Sequence, residues 1–282
     1  MKIVVTGAAG QLGVELCDAF CRVGHDVVGT THDTLDITDS SAVSAFVDSV
    51  RPDWVIHSAA WTAVDACESD PNRAFLVNGD GTANIVAAAE KVAARVVYIS
   101  TDYVFDGTKS GPYVETDEPN PQSVYGASKL AGEHAMRPND LIVRVSWVCG
   151  YHGANMVKTI LRIASTNPTL AFVSDQVGHP TFADDAAEGI RRLVESGRSG
   201  TFHLTNQGAV SWYEFAADVL RAAGDDPGRV QPITTAELQP PRPAKRPANS
   251  VLDNAALRSA GLALLDDFHV PLKRLVDRLK QD

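Results

Sequence analysis

Tyr125 and Lys129 stand four residues apart in Tyr125-Gly126-Ala127-Ser128-Lys129. On a helix this spacing puts both side chains on one face, about 6 Å apart at Cβ. A free tyrosine, with a pKa of about 10, carries protons poorly at neutral pH. A neighbouring ammonium favours the phenolate and lowers that pKa. Such a pair therefore predicts proton transfer near pH 7. Upstream, Ser100-Thr101-Asp102-Tyr103 closes an apolar run. The Thr101 hydroxyl, at a strand's carboxyl end, is placed to donate to the same reacting oxygen.

Thr6-Gly7-Ala8-Ala9-Gly10-Gln11-Leu12-Gly13 follows the first apolar run and opens a helical pattern. Gly7 permits a tight turn, Gly10 a close approach to a pyrophosphate, and Gly13 close helix–strand packing. The helix N-terminus adds free N–H groups and a positive dipole end. In this strand–turn–helix setting the glycines predict a dinucleotide site. A bound oxidised nicotinamide would lower the Tyr125 pKa further. The second apolar run ends Val28-Gly29-Thr30-Thr31-His32-Asp33. An acid at that tip would bind the ribose 2′-hydroxyl of NAD. None stands at the first position, so we expect NADPH to be preferred modestly and NADH also to be accepted. Asp36 is placed to accept from the adenine amino group and Ile37 to pack on its ring; Asp36 is equally a turn residue before the next helix. His57-Ser58-Ala59-Ala60-Trp61-Thr62 ends the third run with small residues where a cofactor would pass.

These residues need a scaffold that brings strand ends together. Apolar runs at 3–5, 26–28, 54–56, 96–99 and 141–145 read as strands buried on both faces. Helical spacing occupies 14–23, 42–50, 74–92 and 125–136. This alternation predicts an α/β fold: a doubly wound parallel-sheet Rossmann domain with right-handed crossovers. We expect a strand at 170–173 and a helix at 183–194 to complete that sheet. Helices near 212–223, 254–260 and 272–279 predict a smaller, mostly helical substrate lobe. The expected boundaries are 1–145 and 168–196 for the dinucleotide-binding domain, and 146–167 and 197–282 for the lobe. The proline-rich stretch 239–247 reads as a structured loop of that lobe.

The 282 residues carry a formal charge of −10. A pI near 5.2 gives no basic surplus to neutralise phosphates, which argues against nucleic acid as a partner. No run of 18 apolar residues occurs, so no membrane span is expected. The N-terminus enters a strand directly without a signal-peptide apolar region, and a cytoplasmic location is expected. Cys17, Cys21, Cys67 and Cys149 include no C-x-x-C and read as buried free thiols.

Six segments carry a resemblance spanning most of the chain. They are Ala59-Ala60-Trp61-Thr62-Ala63-Val64-Asp65, Ser100-Thr101-Asp102-Tyr103-Val104-Phe105-Asp106-Gly107, Tyr125-Gly126-Ala127-Ser128-Lys129, Arg144-Val145-Ser146-Trp147-Val148, Asp175-Gln176-Val177-Gly178-His179-Pro180-Thr181 and Arg246-Pro247-Ala248-Asn249-Ser250-Val251-Leu252-Asp253. With them the chain resembles the extended short-chain dehydrogenase/reductases, most closely the dTDP-4-dehydrorhamnose reductase branch. The resemblance implies NAD(P)H-dependent reduction of the C4 ketone of dTDP-4-dehydro-β-L-rhamnose, in deoxysugar biosynthesis. It implies Thr101, Tyr125 and Lys129 as the catalytic triad. It implies Gly10, Gln11, Leu12, Asp36, Ile37, Ala60, Trp61 and Thr62 as cofactor contacts, beside Gly7, Gly13, Ala59, Tyr125 and Lys129. Substrate contacts would be Thr101, Asp102, Tyr125 and Trp147. Trp61 departs from the His or Tyr of several relatives but keeps an aromatic ring. Some members hold Mg²⁺ at a dimer interface through glutamates, one of which Glu15 matches. Glu15 is equally a favourable acid in a helix's first turn, and we assign no metal. A monomer or homodimer is expected.

Related activities separate on single residues. A 4,6-dehydratase would need Asp-Glu after the strand-end threonine, and Tyr103 follows Asp102 instead. A reductase or epimerase of another nucleotide 4-keto-6-deoxysugar shares the Tyr–Lys pair, and the last two segments favour the reductase branch. A non-catalytic NADP-binding regulatory homologue would have no need of an intact Thr101, Tyr125 and Lys129.

Overall fold

The computed structural model describes residues 1–281; Asp282, the last residue of the expected lobe, lies outside the described residues. The chain begins with β1 (Lys2–Thr6), α1 (Gln11–Arg22), β2 (Asp26–Thr30), α2 (Ser40–Val50) and β3 (Trp54–His57). Then come α3 (Val64–Ser69), α4 (Pro71–Phe75), a π-helical turn (Leu76–Asp80) and α5 (Gly81–Lys91). They are followed by β4 (Arg95–Thr101), a 3₁₀ turn (Asp102–Val104), α6 (Val124–His134) and β5 (Leu141–Val145). The second half contains β6 (Val148–Cys149), α7 (Met156–Ala164), β7 (Leu170–Val173), β8 (Val177–Gly178) and β9 (Thr181–Phe182). It continues through α8 (Ala183–Glu195), β10 (Gly200–His203), β11 (Val210–Ser211) and α9 (Trp212–Ala223). It closes with β12 (Val230–Ile233), α10 (Ala255–Ser259) and α11 (His269–Leu279).

Six parallel strands form the main sheet in the order β10-β5-β4-β3-β1-β2. Alternate residues of each strand enter opposite cores, which explains the uninterrupted apolar runs. Ile3, Val5, Ile56 and Val97 pack with Leu16 and Phe20 of α1 and Ile190 of α8. Val4, Val55 and Val96 pack on the other face with Val43 and Val47 of α2 and Ile85 of α5. The chain leaves β1 toward β2 on one side and toward β3, β4 and β5 on the other. This reversal leaves a crevice at the strands' carboxyl ends, where open α/β sheets bind ligands.

Three expectations are corrected. Residues 170–173 do form a strand, but it pairs with β12 rather than with the main sheet. Its ends, Leu170 and Val173, are buried, and Leu170 joins Val219 and Leu220 of α9 in a separate core. The sixth main-sheet strand is instead β10, inside the expected lobe, where Phe202 enters the α1–α8 core. Leu257 and Leu265 also return to that core. Three two-stranded pairs each join a strand of the expected lobe, β6, β11 or β12, to one within residues 168–196, β9, β8 or β7. The helix expected over 74–92 is found within a helical stretch that runs unbroken from Pro71 to Lys91 and has a π-helical turn carrying the buried Asn78. Finally, Cys21 is exposed rather than buried, and all four cysteines are free. Among the described residues no helix is long and apolar enough to cross a membrane.

The β1–α1 junction is close-packed. A Cβ at Gly13 would lie 2.1 Å from the Gly7 carbonyl oxygen. Gly13→Ala should therefore force the turn open and destabilise the fold by about 1–3 kcal/mol, the usual cost of overpacking. Thermal or denaturant melting measures the loss, and a melt unchanged from wild type would show that the turn tolerates a side chain.

Candidate active site

The carboxyl ends of β1, β3, β4 and β5 open into one cleft of about 610 Å³. Gly7, Gly10, Gln11, Leu12 and Gly13 line it from the β1–α1 turn, and Ser58, Ala60 and Thr62 from the loop after β3. Gly7 has φ +69°, and a Cβ there would lie 2.8 Å from the Ala59 backbone. Only glycine lets the two loops meet this closely. Gly10 caps α1 in an extended conformation with no side-chain hydrogen bond. The first-turn N–H groups are thus left to an external anion, a cradle that fits a dinucleotide pyrophosphate. Gln11 ties the turn to the other lobe: its Nε2 donates to the Val148 carbonyl at 2.9 Å, and its Oε1 accepts from Asn155 Nδ2 at 2.8 Å.

Thr101, Asp102, Tyr125 and Lys129 line the same cleft. Ser123 caps α6 by accepting from the Gly126 N–H, which fixes the helix start one residue before Tyr125. Gly126 is required here, because a Cβ would lie 2.2 Å from the Tyr103 carbonyl oxygen. Burial pushes the Tyr125 phenol well above the ordinary tyrosine range; the Asp102 carboxylate adds to this, and a hydrogen bond with Thr101 opposes it. Lys129 donates to the Ile99 carbonyl at 2.7 Å, with its ammonium 4.1 Å from the Tyr98 ring centroid. Burial lowers its pKa to about 7, against the pull of Glu133. The expected depression of the Tyr125 pKa by Lys129 is thus not found; desolvation wins. The phenol is protonated at neutral pH, the form that a proton donor needs.

Asp102 is a buried carboxylate. It accepts from Thr101 Oγ1 at 2.9 Å and Ser146 Oγ at 3.0 Å, and it is hydrogen-bonded to Ser250 from the late part of the chain. Desolvation raises its pKa to about 6 in spite of these three hydroxyls. Trp147 has a left-handed φ of 44° and stacks on Trp212, with ring centroids 3.6 Å apart and planes 9° from parallel. Both indoles line the cleft.

Residues 1–281 match the family described as RmlD substrate binding domain. The chain belongs to the RmlD substrate binding domain family. It is 41% identical to the dTDP-4-dehydrorhamnose reductase of Burkholderia thailandensis, over 94% of this chain and 95% of that protein. A crystal structure of a dTDP-4-dehydrorhamnose reductase from Clostridium acetobutylicum superposes with a TM-score of 0.96 at 43% identity, covering 99% of this chain and 100% of that one. The dTDP-4-dehydrorhamnose reductase from Bacillus anthracis, solved in complex with NADP, superposes at 0.94 and 36% identity, covering 98% and 99%.

Several residues that shape this RmlD-family site were not singled out from the sequence. Glu133, one turn beyond Lys129, is buried and receives both arms of the Arg144 guanidinium together with Ser100 Oγ. Asn78 holds both backbone polar groups of Trp61, at 2.8 and 3.1 Å, and donates to Ser128 Oγ at 3.0 Å. His57 is buried between Thr6 and Thr82, and desolvation drops its pKa to about 3, so it stays neutral. The i,i+4 spacing of Lys129 and Glu133 was a readable signal; Ser146 and Ser250 lay in segments that carried the resemblance without showing their contact with Asp102, and Trp212 gave none.

Other expected contacts lie outside the cleft lining. Asp36 is exposed and closes a turn by accepting from the Thr38 N–H and hydroxyl, the turn role weighed from sequence. Ile37 is buried beneath α5, where Gly81 leaves it room. The Trp61 ring lies under the Arg73 guanidinium at 4.6 Å. Glu15 lies 3.7 Å from His152 and lines a surface hollow with other acids and arginines. Its pKa is raised by burial and by Asp184.

The Asp102 pKa makes a prediction about pH. Between its ordinary 3.8 and about 6, folded Asp102 holds a proton that the unfolded chain has released. Stability therefore falls as pH rises through this window, and the cost is complete above it. Asp102→Asn removes the cost. It should raise the melting temperature at pH 7.5 more than at pH 5, while slowing turnover. A melting-temperature gain equal at both pH values would show that Asp102 does not titrate in this window.

Proposed function

We propose that this chain reduces the C4 ketone of dTDP-4-dehydro-β-L-rhamnose to dTDP-β-L-rhamnose with NADPH. The observation that carries the reading is a buried, protonated Tyr125, beside Thr101 and Lys129, in the cleft that holds the glycine cradle. A bound NADPH supplies the hydride to the sugar C4. Tyr125 gives its proton to the C4 oxygen, and the Thr101 hydroxyl, turned away from Asp102, steadies that oxygen. Burial that would be costly for a phenolate keeps the proton in place until the oxygen becomes more basic. Lys129, released from the Ile99 carbonyl, is the donor for the cofactor's ribose hydroxyls. Its ammonium then favours the phenolate left after transfer.

The first-turn N–H groups of α1 hold the cofactor pyrophosphate, and Ala59, Ala60 and Thr62 give it room. Asp36, Ile37 and Trp61 serve the adenosine and nicotinamide ends from outside the main cleft. Trp147 and Asp102 face the sugar nucleotide. Thr30 at the tip of β2 sits level with Thr6, beside the glycine turn. No acid stands at that tip to repel a 2′-phosphate. The relative from B. anthracis was solved with NADP, which supports the same preference here.

The direct test follows NADPH oxidation with a dTDP-4-keto-6-deoxy sugar. Tyr125→Phe keeps the ring and removes the proton, and should lose about 10²–10⁴-fold, mainly in kcat. A variant with near-normal turnover would move the acid to another residue. In the wild type, kcat/KM should be higher with NADPH than with NADH. A strong NADH preference would show that Asp33 binds the ribose.

A further inference from the structure

Asp65 and Arg246 stand 181 residues apart and meet as a two-armed ion pair. Arg246 Nη1 donates to Asp65 Oδ1 and Nη2 to Oδ2, both at 3.0 Å. The Ala244 N–H donates to the same Oδ1 at 3.2 Å, and Arg242 adds a second cation at 3.6 Å. Asp65 lies in the first turn of α3, directly after the Trp61–Thr62 loop. Arg246 lies in the proline-rich stretch between β12 and α10. The same guanidinium is hydrogen-bonded to the Tyr103 side chain. Tyr103 in turn packs edge-on against Tyr125, with ring centroids 5.6 Å apart and planes at 76°.

We propose that Asp65 and Arg246 form a clasp that positions the catalytic acid, with Arg246 fixing Tyr103 and Tyr103 fixing the ring of Tyr125. The inference rests on Tyr125 being the acid. A guanidinium is planar and offers donors in a rigid fork, so one side chain can grip a carboxylate and orient a phenol together. An ammonium cannot do both with fixed geometry. A hydrogen bond with Thr101 holds the Tyr125 hydroxyl, and its ring shares a cluster with Cys67 and Ala74, against which Trp61, Val64, Tyr103 and Val124 pack. Val64 and Cys67 lie on α3 with Asp65, and Tyr103 is the residue that Arg246 holds. The glycine cradle does not touch it. Loss of the clasp should therefore disturb proton delivery more than cofactor capture.

Arg246→Met removes the fork. It should lower kcat about 10- to 100-fold, the scale of a misplacement near 1 Å, with KM for NADPH within about twofold of wild type. Tyr103→Phe keeps the ring and loses only the bond to Arg246; it should lower kcat by about fivefold. The double variant should be no slower than Arg246→Met alone, because both changes cut one connection. Arg246→Lys should recover only part of the loss. Wild-type kcat in Tyr103→Phe, or single effects that multiply in the double variant, would overturn the clasp, and Tyr103→Phe decides the matter if Arg246→Met does not fold. A silent Tyr125→Phe would instead sink the underlying reading. A damaging Tyr125→Phe with a normal Arg246→Met sinks the clasp alone.

Discussion

Desolvation at the carboxyl ends of the main sheet sets the terms for the rest of the structure. Tyr125, Lys129 and Asp102 are all buried, and each is pushed toward its neutral form. For Tyr125 in its proposed role as proton donor, neutrality is the working state. The same burial would be ruinous without compensation, because a buried charge needs a partner. The compensation is local and specific. Glu133 answers Lys129, Arg144 answers Glu133, and three hydroxyls surround Asp102. The proton chemistry and the polar network behind it are one arrangement, seen from two sides of strand β4.

That arrangement depends on helix–strand contacts with no slack. Gly132 on α6 faces the Tyr98 hydroxyl, where a Cβ would come within 2.3 Å. Tyr98 is hydrogen-bonded to the carbonyls of Asn78 and Lys129. The π-helical turn puts Asn78 where it can hold the Trp61 loop and Ser128 at once. An ordinary α-helical turn would aim this side chain elsewhere, and π-turns of this kind recur at functional sites. Small residues on α6 and one irregular turn thus fix the height of Tyr125 and Lys129 above the sheet.

Much of this was legible in the sequence, for reasons that are themselves local. The glycine turn, the Tyr–Lys spacing and the strand-end Thr101 each lie within eight residues of chain, and their chemistry follows from spacing. The six-stranded sheet was legible except for its last strand. Gly200–His203 carries one β-branched residue and one aromatic, too weak a pattern to stand out, whereas Leu170–Val173 has a strand pattern without saying which sheet receives it. Ser250 on Asp102, Arg246 on Asp65 and Trp212 on Trp147 were illegible because each partner is distant in sequence. The Tyr125 pKa was read with the wrong sign for this arrangement. The i,i+4 spacing announces the ammonium, but burial, which outweighs it, is a property of the assembled cleft.

The order in which the chain visits its two cores has a consequence for how the molecule is made. Strands β1 to β5 and helix α6 are contiguous, and a ribosome delivers them first. The edge strand β10 arrives before most of the second core, and Leu257 and Leu265 return to the first core only after most of the second has been made. Arg246 emerges later than every residue that lines the cleft. Synthesis from the N-terminus therefore presents the Tyr–Lys helix on an unfinished sheet. The parts that finish its environment come last, so a nascent chain has Tyr125 and Lys129 in hand well before it has the full surroundings that set their protonation.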